Sequence, residues 1–117
     1  MRVVLVLDCH DPNAQAAFWA AALGYQPSPS SPPYVVLVPP EPGPPELVLQ
    51  QVPEPKTVKN RMHLDIRIAD IEAEAARLQR LGAKPISEQP IQEDGFRWIV
   101  MADPEGNEFC VCAEPVS

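Results

Sequence analysis

Basic residues are scarce in this chain. Nine Lys and Arg stand against 16 Asp and Glu, leaving a formal charge of -7 and a pI of about 4.7. Nucleic-acid binding needs clustered cations to neutralise phosphates, so this balance argues against a nucleic-acid partner. Cysteine is also rare, with three in 117 residues. That is too few for a disulfide scaffold, and three free thiols are expected. No apolar run approaches the roughly 20 residues of a membrane span, so no membrane partner is expected. The N-terminal apolar run is interrupted by Asp8 and is too short for a signal peptide, which makes the cytoplasm the expected location. Five glycines form no phosphate-cradling loop. There is no G-x-S-x-G elbow and no Cys-x-x-Cys pair, so three common chemistries are without their motifs.

What the chain has in excess is proline, and it is concentrated. Eleven of the 16 prolines fall between Pro27 and Pro55. Proline donates no ladder hydrogen bond, so this region is not a continuous central sheet. Within it, Tyr34–Val38 and Glu46–Gln51 still read as strands joined by a stiff proline loop, with residues 24–31 supplying a short edge strand.

The second half is organised around residues 59–70. Leu64, Ile66 and Ile68 alternate with His63, Asp65 and Arg67, the period of a half-buried strand. Its polar side carries an imidazole, a carboxylate and a guanidinium, which either pair with one another or meet water or a ligand. Asp70 then caps a helix through Ile71, Ala75, Leu78 and Leu81, and Gly82 ends it. The chain opens in the same way. A strand over Val3–Cys9 leads to a cap at Asp11, Pro12 at the first helical position, and a helix to Leu23-Gly24. Aligning Asp11 with Asp70 sets Val4 opposite His63, which marks an internal repeat. After the second helix the pattern predicts a strand at Ala83–Ser87, a polar loop at Gln89–Gly95 and a strand at Phe96–Ala102. The turn Asp103-Pro104-Glu105-Gly106-Asn107 and a last strand at Glu108–Ala113 follow. Each half reads βαβββ, an α+β fold in a single domain over 1–117, with module one at 1–55 and module two at 60–115.

With this order in hand, the chain resembles the vicinal oxygen chelate superfamily, which includes glyoxalase I, bleomycin-resistance proteins and extradiol dioxygenases. Phe18-Trp19, Leu23-Gly24, Lys59-Asn60-Arg61, His63-Leu64-Asp65 and the turn followed by Glu108-Phe109-Cys110 look like small bacterial glyoxalase-like domains. The resemblance implies two βαβββ modules forming an open, cup-shaped mixed sheet with helices on the outer face. It also implies a small-molecule ligand on the concave side and a homodimer. Metal-dependent members place ligands at positions that fall here on Val4, Gln50, His63 and Cys110. His63 is a fitting ligand and Gln50 an oxygen donor, Val4 offers nothing, and Cys110 stands where a glutamate is usual. A divalent metal is thus the cofactor the resemblance raises, with His63 and Gln50 as its candidate ligands.

Two functions follow from the resemblance. One is a lyase or isomerase in which His63, with Asp65 or Cys110, holds or deprotonates a small oxygenated substrate. The other is metal-free sequestration of a small molecule, with Val4, Val6 and Trp98 lining the cup; Gln50, His63, Asp65 and Cys110 complete the expected pocket. Cys110 reads either as a core cysteine or as a nucleophile with His63 as its base. Lys56, Lys59 and Arg61, the only basic cluster, read either as a solvated linker or as an anchor for an anionic group. Phe18 and Trp19 are expected to pack, and Arg97 to be solvated.

Overall fold

The computed structural model describes residues 1–114. The chain divides into two compact units, Met1–Thr57 and the part from Val58 onward. The architecture is α+β, and each unit has one helix and one mixed sheet.

The first unit comprises β1 (Val4–Cys9), α1 (Pro12–Leu23), β2 (Gln26–Ser28), β3 (Tyr34–Val38) and β4 (Glu46–Gln51). Asp11 caps α1 by accepting a hydrogen bond from the Ala14 N–H at 3.1 Å. Gly24, at φ 72°, ends it in a left-handed conformation that a side chain would resist. The sheet order is β1-β4-β3-β2, with β1 and β4 parallel and the other pairs antiparallel. Phe18 and Trp19 meet edge to face at 5.0 Å and are both buried, as are Leu37, Leu47 and Leu49. The prolines of residues 39–45 lie in the loop between β3 and β4, where no ladder donor is required.

The second unit comprises β5 (Asp65–Ile68), α2 (Ile71–Leu81), β6 (Lys84–Pro85), β7 (Ile91–Glu93), β8 (Phe96–Ala102) and β9 (Glu108–Ala113). Its sheet runs β5-β9-β8-β6, with β5 and β9 parallel, and so repeats the first topology. Ile71, Ala75 and Leu78 of α2 are buried, and so are Ile99, Met101, Phe109 and Val111 of the sheet. The carboxylate of Glu74, almost wholly buried, takes two hydrogen bonds from Arg77 at 2.6 and 2.8 Å, and Arg77 holds it below the usual carboxylate range. Asp70 accepts from the Ala73 N–H at 3.0 Å. Asp70→Ala is expected to destabilise the unit by about 1 kcal/mol, read as a lowered denaturation midpoint, whereas Asp70→Asn keeps a capping oxygen and most of the stability.

Four expectations are corrected. The strand expected from the alternation over His63–Ile68 is confined to Asp65–Ile68, so His63 precedes it. The strand expected at 83–87 shrinks to Lys84–Pro85; the Ser87 hydroxyl instead accepts from the Val100 N–H at 3.1 Å. The polar loop expected at 89–95 contains β7, which pairs with β8 through a two-residue reversal at Asp94 and Gly95. Both residues have positive φ, 51° and 79°, the mark of the tight hairpin turn that Asp-Gly favours. Arg97 is paired with the Glu72 carboxylate of α2 and is not merely solvated.

Candidate functional site

The two faces of the second sheet differ in chemistry because its register sorts them. Across β5, β9 and β8, Asp65 pairs with Cys110 and Cys110 with Val100. One step on, Arg67 pairs with Cys112 and Cys112 with Trp98. Directly paired residues share a face, so these six side chains form two adjacent rows on one side. Ile66, Val111 and Ile99 pair on the other side, which carries the buried residues that α2 covers.

The open face carries a cavity of about 540 Å³. Trp98, Val100, Cys110 and Cys112 supply its apolar lining, with Phe96 at 51% exposure, while His63, Asp65, Arg67 and Lys59 add ionisable groups. Glu93 and Asp94 reach it from the β7–β8 hairpin. That volume falls within the roughly 300–1,000 Å³ of small-molecule pockets.

The segment carrying His63 is fastened by Asn60, whose side chain stands in for a strand backbone. Its Oδ1 accepts from the Glu108 N–H at 2.9 Å, and its own N–H donates to Glu108 Oε2 at 3.2 Å. Asn60 Nδ2 donates to Asn107 Oδ1 at 3.3 Å, and Asn107 in turn donates to the buried Asp103 carboxylate. Four residues beyond Asn60, the Leu64 carbonyl accepts from the Cys110 N–H at 2.9 Å. His63 therefore enters the cavity beside β9.

There His63 Nε2 lies 3.2 Å from Asp65 Oδ1, with both side chains nearly half exposed. Pairing through Nε2 leaves Nδ1 as the nitrogen with an open lone pair in the neutral ring. One ligand atom each from His63, Asp65 and Cys110 lies within 4.8 Å of the others. Burial, and next the Asp65 carboxylate, push the Cys110 thiol up to about 11. The Cys112 thiol is raised for the same two reasons, with Arg67 working against them. None of the three cysteines is in a disulfide. Protonated thiols of this kind are poor nucleophiles at neutral pH, so Cys110 is not an activated attacking group as it stands.

A divalent metal, which the resemblance raises, finds a suitable donor set here. Imidazole, carboxylate and thiolate together suit a borderline ion such as zinc, and they suit the oxygen-seeking magnesium or calcium poorly.

Of the residues expected in the pocket, His63, Asp65, Trp98 and Cys110 come together in this cavity. Val4, Val6 and Gln50 belong to the first unit, where Val6 is 55% exposed and Gln50 pairs with Asp8 and Tyr34. Of the basic cluster, Lys59 lines the cavity and Arg61 is exposed. Cys112 and Arg67 were not expected there, although their two-residue spacing from Cys110 and Asp65 is the signal that places them. The role of Asn60 has no comparable signal, because its partners lie 47 and 48 residues away.

Among the described residues, no helix is long and apolar enough to cross a membrane. Several solved structures share the fold. A glyoxalase/bleomycin resistance protein/dioxygenase family enzyme from Burkholderia phytofirmans PsJN matches with a TM-score of 0.77 at 18% identity, over 94% of this chain and 95% of that one. The fosfomycin resistance protein FosX from Mesorhizobium loti matches at 0.73 and 15%, over 97% and 92%. TioX from Micromonospora sp. ML1 matches at 0.66 and 17%, over 97% and 98%. No curated protein matches. Residues 4–112 match the family described as the glyoxalase-like domain, and with nearly its whole length so covered the chain belongs to that family.

Proposed function

We propose that the second unit binds a small organic molecule, with an apolar or aromatic part against Trp98 and Phe96 and an oxygen-bearing end at His63 and Asp65. The observation that carries this reading is the cavity itself, where an apolar sheet face meets a group of ionisable side chains. Pockets that recognise small molecules have this composition, with apolar area for affinity and a few polar groups for orientation. The family supports it in kind, since one of the similar folds is a fosfomycin resistance protein.

The two tryptophans make a direct test available. Trp19 is only 2% exposed, while Trp98 lines the cavity. A panel of small aromatic and oxygenated compounds, fosfomycin included, is expected to contain at least one that quenches fluorescence saturably. Trp98→Phe is expected to abolish that change and Trp19→Phe to preserve it. Saturable quenching that survives Trp98→Phe would place the ligand elsewhere and end the proposal.

A catalytic extension is favoured by one specific contact, the His63–Asp65 pair. A carboxylate that holds one imidazole nitrogen frees the other to accept a proton from a bound substrate. On this reading His63→Ala loses turnover and keeps binding, and an unchanged rate in that variant removes His63 as a base.

A further inference from the structure

We propose that the ligand of this cavity is amphoteric, an aromatic molecule with an anionic group at one end and a cationic group at the other. The inference rests on the small-molecule reading above and names the class of compound.

Topology sorts the charges across the sheet. From β5 the strands run through β9 and β8 to β7, and the register carries one row straight across them, from Arg67 to Cys112, Trp98 and Ile91. Phe96 and its partner Glu93 form the next row on the same side, because each lies two residues from Trp98 or Ile91. The β5 edge thus carries a guanidinium, the β7 edge a carboxylate, and an aromatic floor lies between them. Lys59 strengthens the positive end: it works against the rise of the Cys110 thiol, as Arg67 does at Cys112. Asp94, beside Glu93 at the hairpin tip, strengthens the negative end and also lines the cavity.

The other acidic and basic groups at the cavity are already matched. His63 faces Asp65, Arg97 is paired with Glu72, and Glu108 accepts from the Asn60 N–H. Among the described residues, no ion pair or hydrogen bond engages the side chains of Lys59, Arg67, Glu93 or Asp94. Nor do the two ends neutralise each other. Three strand spacings put about 14 Å between the outer backbones, more than the Debye length of about 8 Å at physiological salt. Each end therefore presents a field of one sign. A singly charged ligand gains at one end only, whereas opposite charges held on the order of 10 Å apart gain at both. The anionic end is the oxygen-bearing end already placed near His63, since Arg67 follows Asp65 by two residues on β5.

Four forms of biphenyl test the inference on chelator-treated protein, with affinity read from saturable tryptophan quenching. One carries a carboxylate, one an aminomethyl group, one both at opposite ends, and one neutral hydroxymethyl groups in place of both. The doubly charged form is expected to bind at least about fivefold tighter than either singly charged form. Arg67→Gln should remove the gain from the carboxylate and leave the affinity of the amine unchanged. Glu93→Gln should remove the gain from the ammonium and spare the carboxylate form. Arg67→Lys keeps a cation and should keep most of the affinity, while Arg61→Gln, at an exposed cation outside the cavity, should change nothing. A hydroxymethyl form that binds as tightly as the doubly charged one, or a doubly charged form indifferent to both glutamine substitutions, would overturn the inference and leave the small-molecule reading standing. If none of the four quenches, the amphoteric assignment falls, and the reading falls with it only if the broader panel also leaves Trp98 unchanged.

Discussion

Replacing Asp103 with alanine is expected to destabilise the second unit by about 3 kcal/mol, lowering its thermal midpoint by roughly 10–15 °C. The residue is 2% exposed, and its carboxylate accepts hydrogen bonds from three donor groups of the turn. Oδ1 takes the backbone N–H of Glu105 and of Asn107, each at 2.9 Å, and both carboxylate oxygens take Asn107 Nδ2, at 3.2 and 2.9 Å. Hydrogen bonds to a charged acceptor contribute about 1.5–3 kcal/mol each. Their loss also strands donors on Asn107, itself only 7% exposed, where water is slow to replace them. Asp103→Asn keeps one acceptor oxygen and should lose about half as much.

The consequence reaches the cavity. The turn that Asp103 organises joins β8 to β9 and sets the register in which Val100 faces Cys110 and Trp98 faces Cys112. Asn107 also supports Asn60, and through it the approach to His63. Ligand-dependent quenching of Trp98 should therefore weaken in Asp103→Ala at temperatures where the protein is still folded. A loss of less than about 1 kcal/mol on denaturant unfolding would show that the carboxylate network contributes little.

The second large effect is chemical. In chelator-treated protein, alkylation of Cys110 at pH 8 should be roughly 100-fold slower than that of an exposed thiol. Only the thiolate reacts, and a group raised from 9.0 to about 11 holds on the order of 100-fold less of it. The rate should keep climbing with pH until about 11, followed at Cys110 by peptide mapping because Cys112 reacts in parallel. Burial is the larger cause and the Asp65 carboxylate the next, so Asp65→Asn should accelerate the reaction severalfold at fixed pH.

The same shift links pH to stability, with a definite sign. Between 9.0 and about 11 the unfolded chain has released this proton and the folded chain has kept it. The contribution is complete below 9 and is lost as pH rises through that window. Rapid modification at pH 7, or an Asp65→Asn variant no faster than the parent, would contradict the assigned environment.

Much of the architecture was legible because its signals are local. Asp11-Pro12 with Gly24, and Asp70 with Gly82, mark two helices whose ends fall where capping chemistry puts them. Asp103 to Asn107 reads as a turn for the same reason. What escaped depends on partners distant in sequence. The strand around His63 starts late because the Asn60 amide, and not a strand backbone, meets the Glu108 N–H. β7 was missed although Asp94-Gly95 is a strong hairpin signal; Gln92 and Glu93 are exposed and give no apolar alternation, so the ladder to β8 holds the strand. Parity placed His63, Asp65 and Arg67 on one side, but only the parallel register of β5 with β9 sets Asp65 against Cys110.

The hairpin between β7 and β8 gives the second unit a component that the first does not have. β8 has its partner β9 on one edge, so β7 and β6 occupy opposite ends of the other. The tip at Asp94 and Gly95 is exposed, and a side chain added at Gly95 would meet nothing within 4 Å. Residues flanking that tip border the cavity, yet none of them belongs to the buried layer beneath α2. Recoding the exposed flanks Gln92, Glu93 and Phe96, with Asp94 and Gly95 kept for the positive φ that the reversal requires, is therefore a route to new ligand preferences under the proposed function that leaves the layer buried beneath α2 unchanged.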